Sequence, residues 1–304
     1  MHLTLRQLQV FESTARLLSF RRAADELHLS QPAVSMQIKQ LEDNVGLPLF
    51  EKLGKQIYLT EAGREIYHYS RSIGQMLAEA SEVIDGLKGA SHGRLTIAVA
   101  STANYFVPTL LGVFHERFPG VTVNLDATNR DSLLQQLKEN VVDLVVMGQP
   151  PASAELEAGA FMENPLVIIA PPDHPLAAQR NIPFKRLEQE VFLTRERGSG
   201  TRSAIERVFE QHHVQLTTGM EIASNEAIKQ SVQAGLGLGL LSRDTLDMEL
   251  ALDKLTILDV EDFPIVRYWY VMHRKGKRLS TVAQAFKQFL LEEAAGLLRP
   301  GTGG

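Results

Sequence analysis

The sequence predicts an α+β multidomain fold, in which a small helical domain and one long helix precede a two-lobed α/β region. Three observations predict it. Capped helices with a 3.6-residue hydrophobic period fill residues 1–60, a heptad repeat of apolar residues follows, and strands alternate with helices after Arg94. The chain has 304 residues, of which 44% are hydrophobic, and this is enough for two or three separate cores.

The composition argues against several classes of protein. The chain has no Cys, and no apolar run approaches the roughly 18 residues of a membrane span. Its N-terminus lacks the pattern of a secretory signal peptide, so we expect a soluble, cytoplasmic protein without membrane contacts. The formal net charge is −5, yet residues 1–60 carry seven Lys and Arg against six Asp and Glu. Contact with phosphates would therefore need a local basic patch.

The first 60 residues carry the pattern of a helix-turn-helix. A helical period covers residues 5–18, and Ser19 is the predicted N-cap of a second helix over residues 20–27. After a turn of three residues, a third helix runs over about residues 31–45, with Pro32 in its first turn, where a missing N–H costs nothing. Two short helices at this spacing predict that the second lies in the major groove of DNA.

A basic two-stranded wing follows in the same domain, with Gly54 at its tip. The polar side chains of the third helix suit base edges in the major groove, and the nearby lysines suit phosphates. The alternative is a polar face on a small three-helix domain that binds no DNA. The candidate DNA contacts are Gln31, Ser35, Gln37, Lys39, Lys52 and Lys55.

The heptad repeat in residues 61–89 predicts a long linker helix. At 1.5 Å per residue this helix would be about 40 Å long, which is too long to lie against a 60-residue domain alone. We therefore expect a symmetric dimer, although packing on the same chain is the commoner fate of an apolar stripe. The predicted dimer seam is Ile66, Tyr69, Ile73, Met76, Ala80 and Val83.

Strands and helices alternate beyond residue 90, and the near-continuous apolar strands favour parallel sheets covered on both faces. The chain returns near Val266, which favours two lobes over one long sheet. We predict a first lobe from residues 90–164 and 266–295 and a second lobe from residues 165–265. Residues 296–304 have no apolar period, and we expect a disordered tail there.

Polar side chains cluster directly after the predicted strands of this region. Open α/β sheets bind ligands beyond the carboxyl ends of their strands, so these clusters should meet in one crevice. The segment TRERGSGTR adds hydroxyls at a helix N-terminus and arginines, which favours an anion site over an ordinary Gly-rich loop. We expect a phosphorylated sugar or a carboxylate of central carbon metabolism. The candidate ligand contacts are Ser101, Thr102, Thr128, Asn129, Gly148, Arg195, Ser199, Gly200, Thr201, Arg202 and Asn225.

Signals for catalysis and for metal binding are weak. There is no Cys nucleophile and no GxSxG motif, and the adjacent His212 and His213 lack convergent carboxylates at metal-ligand spacing. We predict no catalytic site, no metal and no cofactor besides the anionic ligand.

The stretch LRQLQVFESTARLLSFRRAADELHLSQPAVSMQIKQLEDNVGLPLFEK is similar to the signature of LysR-type transcriptional regulators, in which SFxxAAxxLxxSQPAxSxxIxxLExxxGxxLF recurs. The resemblance covers about residues 3–292. It implies a winged helix-turn-helix, a linker helix and a two-lobed effector domain like periplasmic binding proteins. The positions that match the family's DNA contacts are Gln31, Pro32 and Ser35, and those that match its effector cleft are Ser101, Thr102 and Thr201.

The resemblance implies a homodimer or homotetramer that binds promoter DNA, senses a small metabolite and alters DNA bending, with RNA polymerase as a further partner. The segments NRDSLLQQLKENVVDLVVMGQPP and ERGSGTR resemble the CbbR subgroup, which controls carbon-fixation (RuBisCO) operons. Two positions depart from the family pattern. Met36 stands where an Arg or Gln is common, and Lys52 replaces an Arg, which keeps a positive charge but loses the bidentate fork.

A rival interpretation is an α/β solute-binding or sugar-acid-processing protein with a fused helical dimerisation segment. The absent signal peptide counts against a periplasmic binding protein, and the missing catalytic constellation counts against an enzyme.

Overall fold

The computed structural model describes residues 3–54, 56–86, 92–151 and 155–298. The chain forms two compact units, the first ending at Ile84 and the second beginning at Asp85. In the part of the chain that the structure describes, no helix is long and apolar enough to cross a membrane.

The first unit is a winged helix-turn-helix followed by a long helix. Its elements are α1 (Leu5–Leu17), α2 (Phe20–Glu26), α3 (Gln31–Val45), β1 (Phe50–Leu53), β2 (Gln56–Leu59) and α4 (Glu61–Gly86). The side-chain oxygens of Thr4, Ser19 and Ser30 each accept a hydrogen bond from the backbone N–H three residues later, which caps the first three helices. The end of α3 is set by Gly46, whose φ of 80° lies in the left-handed region.

The core of this unit lies between α1, α2 and α3. Phe11, Val34 and Leu41 are fully buried there, and burial of each such side chain contributes about 2 kcal/mol. The carboxylate of Glu42 accepts a hydrogen bond of 2.7 Å from the backbone N–H of Leu49, so the end of α3 holds the start of the wing. β1 and β2 then pair as an antiparallel hairpin.

The apolar rows of α4 have two different surroundings. Ile66 and Ile73 pack against the core of their own unit, whereas Tyr69 and Met76 are 59% and 57% exposed. Ile66 and Ile73 are half-buried, so part of the surface of these two seam positions already contacts the core of the same chain. Ala80 is exposed, and the side chain of Val83 lies outside the described residues. A single chain thus accounts for half of the heptad pattern.

The second unit consists of two α/β lobes. In chain order its elements are β3 (His92–Ala100), α5 (Val107–Arg117), β4 (Gly120–Thr128), α6 (Arg130–Lys138), β5 (Leu144–Met147), β6 (Leu156–Glu163), β7 (Leu166–Ala170), β8 (Val191–Arg195), α7 (Gly200–Gln211), β9 (Thr217–Ile222), α8 (Asn225–Gln233), β10 (Leu238–Ser242), α9 (Asp247–Ala251), β11 (Thr256–Ile257), β12 (Tyr268–Arg274) and α10 (Thr281–Leu298). The first sheet has the strand order β4-β3-β5-β12-β6, and the second has the order β11-β7-β10-β8-β9.

Both sheets are mixed, whereas the sequence predicted parallel sheets. In the first, β3 pairs in parallel with β4 and β5, but β12 is antiparallel to both β5 and β6. In the second, β8 pairs in parallel with β9 and β10, but β7 is antiparallel to β10 and β11. A buried strand is apolar throughout in either direction, so hydrophobic runs do not reveal its polarity. Strand β6, LEAGAFME, was not predicted because it contains no β-branched residue.

Two crossing segments connect the lobes and run side by side. The backbone N–H of Asn164 donates to the carbonyl of Arg267 at 2.7 Å, and Leu166 exchanges two backbone hydrogen bonds with Ile265. The strands on either side of these segments belong to different sheets. These crossings bring Asn164 and Arg267 between the lobes.

The sequence predicts a disordered tail from residue 296, but residues 296–298 are helical. α10 continues to Leu298, which packs against the core of the first lobe. Leu298 thus extends the packed face of the helix past Gly296, whereas Leu297 is exposed. The remainder of the predicted tail, residues 299–304, lies outside the described residues.

Candidate functional site

The polar face of α3 is presented to solvent. Its opposite face buries Val34, Ile38 and Leu41, which fixes the helix in the unit. The structure brings the predicted DNA contacts Gln31, Pro32, Ser35 and Lys39 together on the exposed side, while Gln37 is half-buried. Lys52 is exposed on β1, and Lys55 lies outside the described residues.

The second unit contains a cavity of about 430 Å³ between its two lobes. It lies beyond the carboxyl ends of β3, β4 and β5 and beside the N-terminus of α7, as expected for open α/β sheets. The structure brings nine of the predicted ligand contacts to its wall, namely Ser101, Thr102, Thr128, Asn129, Gly148, Arg195, Ser199, Gly200 and Thr201. We call this space the anion cavity.

Two of these polar side chains serve the helices that border the cavity. The side-chain oxygen of Asn129 accepts from the backbone N–H of Ser132 at 3.0 Å and caps α6. Ser199 Oγ accepts from the backbone N–H of Thr201 at 3.3 Å and caps α7. Gly198 has a φ of 84°, and a Cβ there would lie 2.6 Å from Asp131 Oδ2. Any other residue here would be strained by this φ and would displace the Asp131 carboxylate.

Arg195 lines the anion cavity, but its charge is already paired. The side chain is only 3% exposed, and it donates to both carboxylate oxygens of Glu196, at 2.7 and 3.0 Å. It also donates to Asn225 Oδ1 at 2.5 Å and to Ser101 Oγ at 3.2 Å. Asn225, a predicted ligand contact, therefore holds Arg195 instead of lining the cavity. Arg195 is a bridge between the lobes rather than a free cation.

The structure does not bring Arg202 to the anion cavity. Its guanidinium pairs with Glu206 at 2.8 Å and with Glu221, and it donates to the backbone carbonyl of Arg195 at 3.1 Å. The reason is helical geometry, because Arg202 and Glu206 are four residues apart on one face of α7. Arg202 therefore stabilises its own lobe.

Three other arginines, which the sequence did not single out, supply the charge of the cavity: Arg130, Arg207 and Arg267. Arg130 Nη1 donates to the carbonyl of Gln149 at 2.6 Å, and Arg267 Nη1 donates to the carbonyl of Gly200 at 3.3 Å. Among the described residues, none of the three forms an ion pair with a carboxylate. The buried Nε of Arg267 has no hydrogen-bond partner there either.

Two of these three arginines, Arg267 and Arg130, lie in surroundings that disfavour their positive charge. Burial, and then the neighbouring charges of Arg207 and Arg130, lower the pKa of Arg267 to about 10. Burial also lowers the pKa of Arg130. Each shift means that the environment disfavours the charged form. An anion with several oxygens would reverse this, because guanidinium groups donate in pairs to carboxylate or phosphate.

Part of this trio carried a signal in the sequence. Arg130 directly follows the predicted cluster Thr128-Asn129, and Arg207 lies on the same face of α7 as Gly200, Ser203 and Ala204, which also line the cavity. Arg267 precedes the last strand, and only the return of the chain between the lobes places it there. Among the described residues there is no group of three or more His, Asp and Glu that could hold a metal ion.

Comparison with known proteins identifies the family of both units. The pattern described as bacterial regulatory helix-turn-helix protein, lysR family, matches residues 5–64, and that described as LysR substrate binding domain matches residues 88–295. The chain belongs to the LysR family of transcription regulators. As a LysR protein it binds DNA and is not an enzyme, so the rival interpretation as a solute-binding or sugar-acid-processing protein is not supported.

This chain is similar over nearly its whole length to several known proteins. It is 58% identical to a RuBisCO operon transcriptional regulator of Allochromatium vinosum, over 97% of this chain and 98% of that protein. The solved regulatory domain of Synechocystis CcmR, in complex with 2-PG, is 45% identical with a TM-score of 0.64 and covers 66% of this chain and 96% of that one. A full-length OxyR variant from Pseudomonas aeruginosa shares the fold, with a TM-score of 0.74 at 23% identity, over 100% of this chain and 99% of that one.

Proposed function

We propose that this LysR-type regulator controls a carbon-fixation operon and responds to a small phosphorylated carboxylate, of the class of 2-phosphoglycolate, in the anion cavity. The observation that carries the proposal is the trio Arg130, Arg207 and Arg267, which has no carboxylate partner among the described residues. The RuBisCO operon regulator at 58% identity supports the target, and the CcmR domain with 2-PG supports the ligand class.

The charge of such a ligand matches that of the cavity. A phosphate monoester carries about −1.5 to −2 at pH 7, and a carboxylate adds a further negative charge. Together they offset the three arginine charges. Paired N–H donors of arginine fit phosphate and carboxylate oxygens, and each charge-assisted hydrogen bond contributes about 1.5–3 kcal/mol.

Neutral donors would complete the binding of the anion. Thr102 and Thr201 are buried hydroxyls in the cavity wall, and the N-terminus of α7 adds the positive end of a helix dipole. The cavity wall thus combines a hydroxyl of the first lobe, that of Thr102, with the hydroxyl of Thr201 and the helix N-terminus of the second lobe. A ligand of this size can contact both at once.

The cavity wall contains groups from both lobes and from the segments that join them. Arg267 and Asn164 lie on the two crossing segments, and the side-chain oxygen of Asn164 is buried in the cavity without a partner. A ligand held by Arg267 and by Thr201 binds best at one lobe arrangement and shifts the population toward it. The coupling is reciprocal, so operator DNA should change the ligand affinity by the same factor as the ligand changes DNA affinity.

We also propose that the regulator acts in the cytoplasm as a homodimer or homotetramer on promoter DNA, with RNA polymerase as a partner. The exposed row of α4, Tyr69, Met76 and Ala80, supports pairing with a second copy. An aspartate at Met76 would be buried unpaired in such an interface. Light scattering of Met76→Asp should show loss of the oligomer, and an unchanged oligomer would contradict this seam.

Calorimetry with 2-phosphoglycolate tests the ligand. Arg207→Gln should weaken binding about 10- to 100-fold, because one charge-assisted contact is lost. Arg202→Gln is the matched control, since Arg202 lies on the same helix but pairs with Glu206 and Glu221, and it should stay within about twofold. Glycolate, which lacks the phosphate, should bind more weakly by a further factor of at least about ten.

Equal affinity of wild type and Arg207→Gln, or equal affinity for glycolate and 2-phosphoglycolate, would contradict the assignment of the cavity. The operon is tested separately by a gel shift on DNA upstream of the organism's RuBisCO genes, with random DNA of the same length as control. Binding that is no tighter to the upstream DNA than to random DNA would exclude that target.

A further inference from the structure

The exposed face of α3 contains one large apolar side chain among polar ones. Met36 is 54% exposed, and its neighbours on this face are Ser35, Lys39 and Gln40. The buried side chains Val34 and Ile38 are each two residues away, which places Met36 about 200° around the helix from either of them. Met36 therefore points away from the core.

A single exposed apolar residue is common on protein surfaces and by itself indicates nothing. Here, however, Pro32 lies one turn earlier on the same side of the helix and is also exposed. Side chains four residues apart on a helix are neighbours. Pro32 and Met36 thus form a short apolar ridge, bordered by Ser35 and Lys39, along the face that a helix-turn-helix turns toward the bases.

In the major groove, the bases present hydrogen-bonding groups with one exception, the C5-methyl group of thymine. We propose that Met36 reads thymine, with its side chain and the ring of Pro32 enclosing a C5-methyl group, and that this contact is a specificity determinant of the regulator. A methionine cannot donate to the O6 and N7 of guanine, so guanine at that position gains no contact. The unbranched, flexible thioether adapts to a methyl group at this edge of the base.

This inference needs only the DNA binding of the LysR family and is independent of the proposed operon and effector. Its test uses a duplex that the full-length protein has selected from random DNA. Each thymine in the selected site is replaced singly by deoxyuridine, which removes the methyl group and keeps the base pair. The wild type should lose about fourfold in affinity at the thymine that Met36 contacts, because burial of a methyl-sized group contributes about 0.8 kcal/mol.

The variants separate methyl recognition from other roles of α3. Met36→Ala should lose most of the difference between the thymine and deoxyuridine duplexes at that position, because only the contact of Pro32 is left, whereas Met36→Leu should keep most of the discrimination. Ser35→Ala should lower affinity for both duplexes and leave their ratio unchanged. Met248→Ala, at a methionine that is 75% exposed in the second unit, should behave as the wild type.

Because Met36 is exposed, these variants should unfold at the wild-type temperature, and a melting curve checks this. The inference is overturned if no deoxyuridine substitution weakens binding of the wild type. It is equally overturned if Met36→Ala keeps the wild-type ratio at every thymine, since the methyl contact would then come from another residue.

Discussion

The DNA-reading face of α3 and the anion cavity hold their functional groups in opposite electrostatic states. Gln31, Ser35 and Lys39 are exposed, so water solvates them until DNA replaces it. Arg267 is already withdrawn from water and lies near two like charges, which lowers its pKa to about 10. The folded protein therefore carries the desolvation cost of the cavity before any ligand arrives. The difference suits α3 to selecting a DNA sequence, and under our proposal it suits the cavity to switching, because an anionic ligand would stabilise the charge of Arg267.

The cavity also contrasts with the rest of its own unit, where buried cations are neutralised. Arg195 pairs with Glu196, and the buried Lys229 pairs with Glu226 and Glu249 at 2.7 and 2.8 Å. A buried charge is tolerated when it is paired. Arg267, whose Nε is buried without a hydrogen-bond partner, is the exception among these cations, and we attribute it to ligand binding.

The largest expected effect concerns a paired arginine. Arg195→Met should lower the free energy of unfolding by about 3 kcal/mol, because it leaves a partly buried carboxylate at Glu196 without its partner. Arg202→Met, at a more exposed pair, should cost no more than about 1 kcal/mol. Urea denaturation of both variants measures this, and equal losses would remove the distinction between the two arginines.

On the DNA side we expect the next largest effect. Gln31→Ala should weaken specific binding by about 1–3 kcal/mol and leave binding to random DNA nearly unchanged, because a base contact is lost. Lys52→Ala should weaken both and reduce the salt dependence by about one phosphate contact. Fluorescence titrations at several salt concentrations distinguish the two patterns. If Gln31→Ala lost the same affinity for specific and for random DNA, Gln31 would contact the DNA backbone and would not contact the bases.

A pH titration probes the cavity through Arg267. Its charged form binds the anion, and its folded-state pKa of about 10 is depressed, so ligand affinity should fall as pH rises through 10. Between pH 9 and 11 the loss should be about tenfold, since one pH unit beyond a pKa removes nine-tenths of the charged form. Arg267→Gln should show a flat profile over that range. A flat profile in the wild type would mean that the charge of Arg267 does not contribute to ligand binding.

The same contrast explains how much of the molecule could be predicted. The reading helix is local in sequence, so its cap Ser30, its Pro32 and its buried row were all visible as a spacing pattern. Nine of the predicted residues lie on the cavity wall, because the strand ends of an open α/β sheet converge at one edge. Neither rule reveals whether a charge is neutralised. The partner of Arg195 is the adjacent Glu196, whereas Arg207 and Arg267 are 60 residues apart in the chain and meet only in the folded unit.

The sequence pattern predicts neither the direction of the strands nor the surroundings of the apolar residues of α4, and the two reasons are related. An apolar run such as that of β12 does not show its polarity, and the apolar stripe of α4 does not show which neighbour covers it. Ile66 and Ile73 are partly buried against their own chain, and Tyr69 and Met76 are left exposed. In both cases the answer depends on tertiary contacts that a one-dimensional pattern does not contain.

The most direct test of the central claim, that unneutralised arginines make the cavity an anion receptor, is the thermal unfolding of Arg267→Met with and without 2-phosphoglycolate. Without ligand, the variant should be more stable than the wild type by about 1–2 kcal/mol, because a desolvated charge is replaced by an apolar side chain. Ligand at 100 times the wild-type dissociation constant should stabilise the wild type by about 2.7 kcal/mol and the variant hardly at all. A variant that is less stable without ligand, or that gains as much from the ligand as the wild type, would contradict the account.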